Sequence, residues 1–311
     1  MRPTAPPVEL PLNLEFGPAE HGRHPYVVVD VFTEKALEGN QLGVFTDARG
    51  FDAEMMQRLA RELNFSETVF VLPPARDGDL RIRIFTPRNE LPFAGHPVVG
   101  AAFVAGSALG GDVVRLETES GPVAVELERA QGRVTFGRFA RPAPPWEPYD
   151  AAAELLAALG VETSLLPVEA YRNGPLHVYV ALDDEEAVAS LRPDLAALSE
   201  LSNVGVNCFA GSGRRWTTRM FAPGMGVPED AATGSAAGPL AIHLTRHGWI
   251  EVGEEIEIHQ GAQIGRPSVL FARARGDSTA VETVEVGGSA VIVAHGEFRL
   301  GPLTAEPEGT S

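Results

Sequence analysis

From Tyr26 onwards, short apolar runs alternate with polar or Gly/Pro breaks, the pattern of an α+β protein rather than of a helical bundle. Tyr26–Phe32 reads as a buried strand, and Asn40–Phe45 as its partner after a Glu-Gly turn. Asp52 opens a helix that carries Met55, Met56, Leu59 and Leu63 on one face, the spacing of a half-buried helix. Those methionines read as core. Ser66–Leu72 returns to strand, and Leu80–Phe85 alternates with period two. Val113–Glu117 and Val123–Glu128 predict a hairpin around Ser120-Gly121-Pro122. Further along, Asn173–Val180, Ile256–Gln260, Ser268–Ala274, Glu282–Val286 and Ala290–Ala294 are strand candidates. Two stretches, one after Gly95 and one after Asp230, hold mainly small and apolar residues, which predicts helices at the centre of the fold. Pro239 lies inside the second of these, so its first turn is expected to be short or kinked.

The pattern occurs twice. Arg83, Phe85, Pro87 and Pro92 recur at the same spacing as Arg219, Phe221, Pro223 and Pro228, each set leading from a strand through a Pro loop into a small-residue helix. Asn173–Val180 echoes the Asn40 strand. Leu198–Phe209 echoes Leu59–Phe70, with Asn203 in the place of Asn64 and Val206 in the place of Glu67. Two long copies imply two related halves, not a solenoid of short units. The expected fold is therefore a pseudo-duplicated α+β protein, each half a curved, mainly antiparallel sheet around a central helix. Proline-dense Pro142–Trp146 sets the boundary, giving domains over 25–146 and 147–311, with a C-terminal strand free to return to the first. Residues 1–24 show no period and read as a loosely attached extension. The two helix starts are expected to face one another across a cleft.

Composition narrows the function. A net charge of −17 with no Lys/Arg-dense stripe speaks against a nucleic-acid partner. It leaves a small anionic substrate open, because one helix N-terminus can dominate locally. A single cysteine, Cys208, excludes an internal disulfide framework and a cysteine zinc site. No signal-like apolar start and no membrane-spanning run are found, so a soluble, cytoplasmic protein is expected.

The candidate chemistry sits at the two helix starts. Gly95-His96-Pro97 opens one; Asp230, Thr233, Gly234 and Ser235 surround the other. Unpaired N–H groups of Gly95 and Gly234, with the Ser235 hydroxyl, suit a carboxylate. His96 is either a proton carrier or a cap, and Asp230 either a substrate-orienting acid or an N-cap. Two readings are open for Glu67 as well: a solvated loop carboxylate, or a general base whose pKa is raised by apolar neighbours. His243 and His247 lie four apart, but no third ligand is evident, so packing or a dipole role is expected and no metal. There is no G-x-G-x-x-G, Walker A loop, H-E-x-x-H or G-x-S-x-G, and no cofactor is implied.

Leu37-Glu-Gly-Asn40, Asn64-Phe-Ser-Glu-Thr-Val-Phe70, Ile84-Phe-Thr-Pro87, Glu90-Leu-Pro-Phe-Ala-Gly-His-Pro97 and Glu229-Asp-Ala-Ala-Thr-Gly-Ser-Ala-Ala-Gly-Pro239 resemble the phenazine-biosynthesis isomerase family, of diaminopimelate-epimerase-like fold. The likeness runs from about Tyr26 to Leu300 and includes Asn173-Gly-Pro175, Asn207-Cys-Phe-Ala-Gly211 and His243-Leu-Thr-Arg-His-Gly248. It implies a cofactor-free, homodimeric isomerase that moves a proton between ring carbons of a cyclohexadiene amino acid. Glu67 would be the catalytic glutamate, His96 and Asp230 the other active-site groups, and Gly95 and Ser235 the substrate-binding residues. The paired cysteines of amino-acid epimerases with this fold are absent. An isomerase of another small carboxylic acid and a non-catalytic binding protein remain the alternatives.

Overall fold

A computed structural model describes residues 22–201, 203–276 and 281–300. The extension expected over 1–24 lies outside these residues up to position 21, while Arg23 and His24 already belong to a strand. In chain order the elements are β1 (Arg23–Val31), β2 (Asn40–Phe45), α1 (Ala53–Leu63), β3 (Glu67–Leu72), β4 (Leu80–Phe85), β5 (Glu90–Leu91) and α2 (Gly95–Leu109). Then come β6 (Val113–Thr118), β7 (Gly121–Ala130), β8 (Arg133–Pro142), β9 (Trp146–Pro148), α3 (Ala152–Leu159), β10 (Glu169–Arg172), β11 (Leu176–Ala181), α4 (Glu185–Ser190) and α5 (Leu195–Glu200). The chain closes with β12 (Val204–Ser212), β13 (Arg215–Ala222), β14 (Val227–Asp230), α6 (Gly234–Arg246), β15 (Glu255–Gln260), β16 (Ser268–Gly276), β17 (Val281–Gly288) and β18 (Ala290–Arg299).

The strands form a mixed sheet, and the protein is α+β. Strand β2 runs parallel to β3, β3 antiparallel to β4, β4 parallel to β6, and β6–β7–β8 antiparallel. Further on, β11 runs parallel to β12, β12 antiparallel to β13, β13 parallel to β15, and β15–β16–β17 antiparallel. The two runs are joined by antiparallel pairing of β8 with β17. Two strands cross between them: β9, which follows β8, pairs with β10, and β18, which follows β17, pairs with β1. The proline-rich segment after Pro142 is accordingly no loose tether. Ala143 N–H donates to the Glu282 carbonyl, and Trp146 is already in β9.

Helix α2 is buried from Gly95 to Gly106 and α6 from Gly234 to Leu244, because the sheet surrounds both. One apolar core unites them, with Val99 and Phe103 of α2 and Leu240 and Ile242 of α6 in the same cluster. The half-apolar helices lie outside. Asp52 caps α1, accepting a hydrogen bond from Met55 N at 2.7 Å, and Met56 and Leu59 bury against Phe45 and Phe70. Each such buried side chain contributes about 1.5–3 kcal/mol.

Pro239 does not shorten α6. The helix runs through it from Gly234 to Arg246. A proline there leaves the carbonyl four residues earlier, that of Ser235, without its helical donor. Asn173 Nδ2 takes that place at 2.8 Å, so the break expected from sequence is repaired by a side chain distant in the chain.

The register also corrects the internal alignment. Phe85 faces Thr68, whereas Phe221 faces Val206. Val206 therefore stands in the place of Thr68, and Gly205 in the place of Glu67. The turn is one residue shorter in the second copy, although Asn64 and Asn203 both keep a left-handed backbone, with φ of 53° and 60°.

Candidate active site

The starts of α2 and α6 touch backbone to backbone. A Cβ placed on Gly95 would lie 2.7 Å from Gly234 C and 2.8 Å from Ser235 N, so only glycine permits the contact. Neither helix has a side-chain cap: Ala94 and Thr233 hold the N-cap positions without capping a backbone N–H. Two buried helix starts thus leave first-turn donors, and the positive ends of two dipoles, on one cleft of about 420 Å³. Glu67, Gly95, His96, Asp230, Gly234 and Ser235 all line it, so every residue expected at the site is brought together.

Glu67 is the first residue of β3, and its side chain is 16% exposed, enough to meet a ligand but not to be solvated as a surface acid. Burial, and then the negative charge of Asp230, push its carboxyl up to about 8, with the neighbouring Ser66 acting in the opposite direction. His96 Nε2 lies 3.5 Å from Glu67 Oε2, and among the described residues neither atom has a hydrogen-bond partner. Burial holds His96 down to about 3, so the ring is neutral despite a hydrogen bond with the Gln41 backbone. The facing atoms form no ion pair. Both atoms are free to engage a polar hydrogen of a ligand in the cleft.

Asp230 ends β14 and is tied on both sides. Asn40 Nδ2 donates to its Oδ1 at 2.9 Å and to the Ala232 carbonyl at 2.9 Å, while Thr233 Oγ1 donates to its Oδ2 at 2.6 Å. Burial raises it to about 6, opposed by the Thr233 and Asn40 hydrogen bonds and that of the Ala231 backbone. It does not serve as the N-cap of α6. Gln260 fixes the turn that carries it, donating from Nε2 to the Asp230 carbonyl and to Thr233 Oγ1, each at 2.9 Å. Ser66 Oγ in turn donates to Asn40 Oδ1 at 2.9 Å, which links the Glu67 strand to the Asp230 turn through one amide.

Sequence reasoning did not single out Asn40, Gln260, Asn173 or His177 for the site. The last carried a signal: a histidine inside the apolar run Leu176–Ala181, where it is fully buried. It also missed a partner for the histidine pair of α6. Glu169 of β10 joins His243 and His247, with their ligand atoms within 4.8 Å of one another. Arg246 Nη1 is 2.5 Å from Glu169 Oε2, so this buried carboxylate already has its cation, and the cluster reads as an ion-pair network. Cys208 is buried among apolar residues, its thiol pushed up to about 12 by burial, and it does not line the cleft.

The family described as "Phenazine biosynthesis-like protein" matches residues 29–296. The chain belongs to that family. It is 53% identical to the trans-2,3-dihydro-3-hydroxyanthranilate isomerase of Pseudomonas aeruginosa over 277 residues, covering 89% of this chain and 100% of the relative. The enzyme of the same name from Pseudomonas chlororaphis is likewise 53% identical, with the same coverage. Among solved structures, a predicted epimerase from Pseudomonas aeruginosa superposes with a TM-score of 0.76 at 33% identity, covering 91% of this chain and all of that one. A hydroxyproline epimerase from Agrobacterium vitis shares the fold alone, at a TM-score of 0.64 and 12% identity, covering 92% and 95%. Among the described residues, no helix is long and apolar enough to cross a membrane.

Proposed function

We propose that this chain is a phenazine-pathway isomerase that converts trans-2,3-dihydro-3-hydroxyanthranilate to its keto isomer, moving a proton from ring C3 to C1 without a cofactor. The observation that carries the mechanism is Glu67: a carboxylate at a ligand-sized cleft, with an unbonded oxygen and a raised pKa. The full-length likeness to relatives of that name supplies the substrate.

In this reading the substrate carboxylate lies at the uncapped helix starts, held by Gly95, Gly234 and Ser235. His96 and Asp230 receive the amino and hydroxyl groups. The substrate ammonium offsets the crowding of Glu67 and Asp230, which stabilises the ionised, basic form of Glu67. Glu67 then takes the C3 proton and returns it at C1 on the same face, giving an enol that tautomerises to the ketone. We also read the two runs of strands as copies of one diaminopimelate-epimerase-like unit, divided near Trp146, and the enzyme as a cytoplasmic homodimer. The matching order of parallel and antiparallel pairs supports the duplication. Incubating the pure protein with trans-2,3-dihydro-3-hydroxyanthranilate tests the proposal: the keto isomer forms catalytically, and no turnover contradicts it.

A further inference from the structure

We infer that His177 is the positioning residue that turns the Ser235 hydroxyl into a donor for the substrate carboxylate, an assignment that rests on the isomerase reading above. His177 Nε2 lies 2.9 Å from Ser235 Oγ, and the fully buried ring forms part of the cleft wall. A histidine–serine contact alone leaves the proton's direction open, since either group can donate. The surroundings fix it.

Asn207 Nδ2 donates to the Gly205 carbonyl at 2.9 Å and to the Val178 carbonyl at 3.3 Å, and the reversed amide would set its oxygen against both. With the amide so oriented, its NH₂ group lies 3.5 Å from His177 Nδ1. A proton on Nδ1 would face another donor, so Nδ1 is the bare nitrogen and Nε2 carries the hydrogen. Burial holds the ring down to about 3, which keeps it neutral. Nε2–H therefore donates to Ser235 Oγ, and the serine hydrogen is turned away from the ring. The Ser235 carbonyl accepts from Asn173 Nδ2 at 2.8 Å, which ties down the first turn of α6. The hydroxyl hydrogen is left for an acceptor in the cleft.

The duplication explains how the ring found room. Gly205 takes the register place of Glu67, and a Cβ there would approach His177 Nδ1 to 3.1 Å. Where the first copy carries the acid, the second carries no side chain and leaves the space to an imidazole. One copy supplies the base and the other prepares the anion site.

Two measurements test this. In folded wild-type protein labelled with ¹⁵N-histidine, NMR is expected to show His177 protonated at Nε2; protonation at Nδ1 overturns the inference. Calorimetry then compares 3-hydroxyanthranilate with 2-aminophenol, the same ring without its carboxylate. His177→Phe and Ser235→Ala are each expected to weaken 3-hydroxyanthranilate about tenfold, the size of one hydrogen bond to a charged group, and to leave 2-aminophenol unchanged. Because His177 acts through Ser235, the double variant is expected to bind about as well as Ser235→Ala alone. Losses that multiply to about a hundredfold, or equal weakening of both ligands, overturn it. Wild-type turnover is scored separately. An inactive protein with this binding pattern sinks the isomerase reading and leaves the anion device standing; an active protein without it does the reverse.

Discussion

Replacing Gly95 with alanine tests whether contact between the two helix starts sets the catalytic geometry. The new Cβ would lie 2.7 Å from Gly234 C and 2.8 Å from Gly234 Cα, and both are backbone atoms that no rotamer change can move. The helix starts must separate by about 0.7 Å to reach ordinary contact near 3.4 Å. Overpacking of this kind costs about 1–3 kcal/mol of stability. The same shift moves the carboxylate donors relative to Glu67, and displacements near 1 Å cost up to about 10²-fold in rate. Gly234→Ala is milder, because its Cβ would stand 3.1 Å from Gly95 C and His96 N. We therefore expect Gly95→Ala to fold, to melt at lower temperature, and to lose about 10- to 100-fold in kcat/KM. The loss for Gly234→Ala is expected to be smaller. Steady-state kinetics beside thermal melts decide it. A folded Gly95→Ala enzyme within about twofold of wild type, or a reversed order of the two variants, refutes the reasoning.

The raised pKa of Glu67 predicts that kcat/KM rises with pH, about tenfold per unit, towards a midpoint near 8; a midpoint near that of an ordinary glutamate contradicts it. The same shift acts on stability with a definite sign. Unfolded glutamate releases its proton near pH 4.3, whereas the folded chain keeps it to about 8, so the folded state binds more protons between these values and loses stability as pH rises. Glu67→Gln is thus expected to be the more stable protein at pH 8, by a few kcal/mol, with the gap closing towards pH 4.5; urea unfolding that shows a constant gap rejects this. With substrate deuterated at C3, part of the label is expected at C1 of the product in ordinary water. Mass spectrometry that finds complete washout excludes a base shielded from solvent.

The sequence showed what local pattern can encode. Strands such as Asn40–Phe45 and Leu80–Phe85 follow directly from alternation or an apolar run, and the two central helices from residues small enough to let a sheet close around them. The repeated strand–loop–helix also located the cleft, because each copy ends on a glycine at an uncapped helix start. Long-range pairing was not legible. No residue of β8 announces that it will pair with β17. The loss of one residue between Asn203 and Val206 was hidden for a related reason, since an apolar strand looks alike when shifted by one and only the partner strand fixes its register. Pro239 misled, and the partner of the α6 histidines went unseen, because Asn173 and Glu169 lie more than sixty residues away.

Turnover of Glu67→Gln on trans-2,3-dihydro-3-hydroxyanthranilate tests the central claim most directly. Glutamine keeps the shape and the hydrogen-bonding reach of the side chain but cannot accept the C3 proton. The account predicts a fall in kcat of at least about 10²-fold, with binding of 3-hydroxyanthranilate nearly unchanged, because the carboxylate acts mainly in the transition state. A Gln variant that turns over at close to the wild-type rate would remove Glu67 from the chemistry and the mechanism with it.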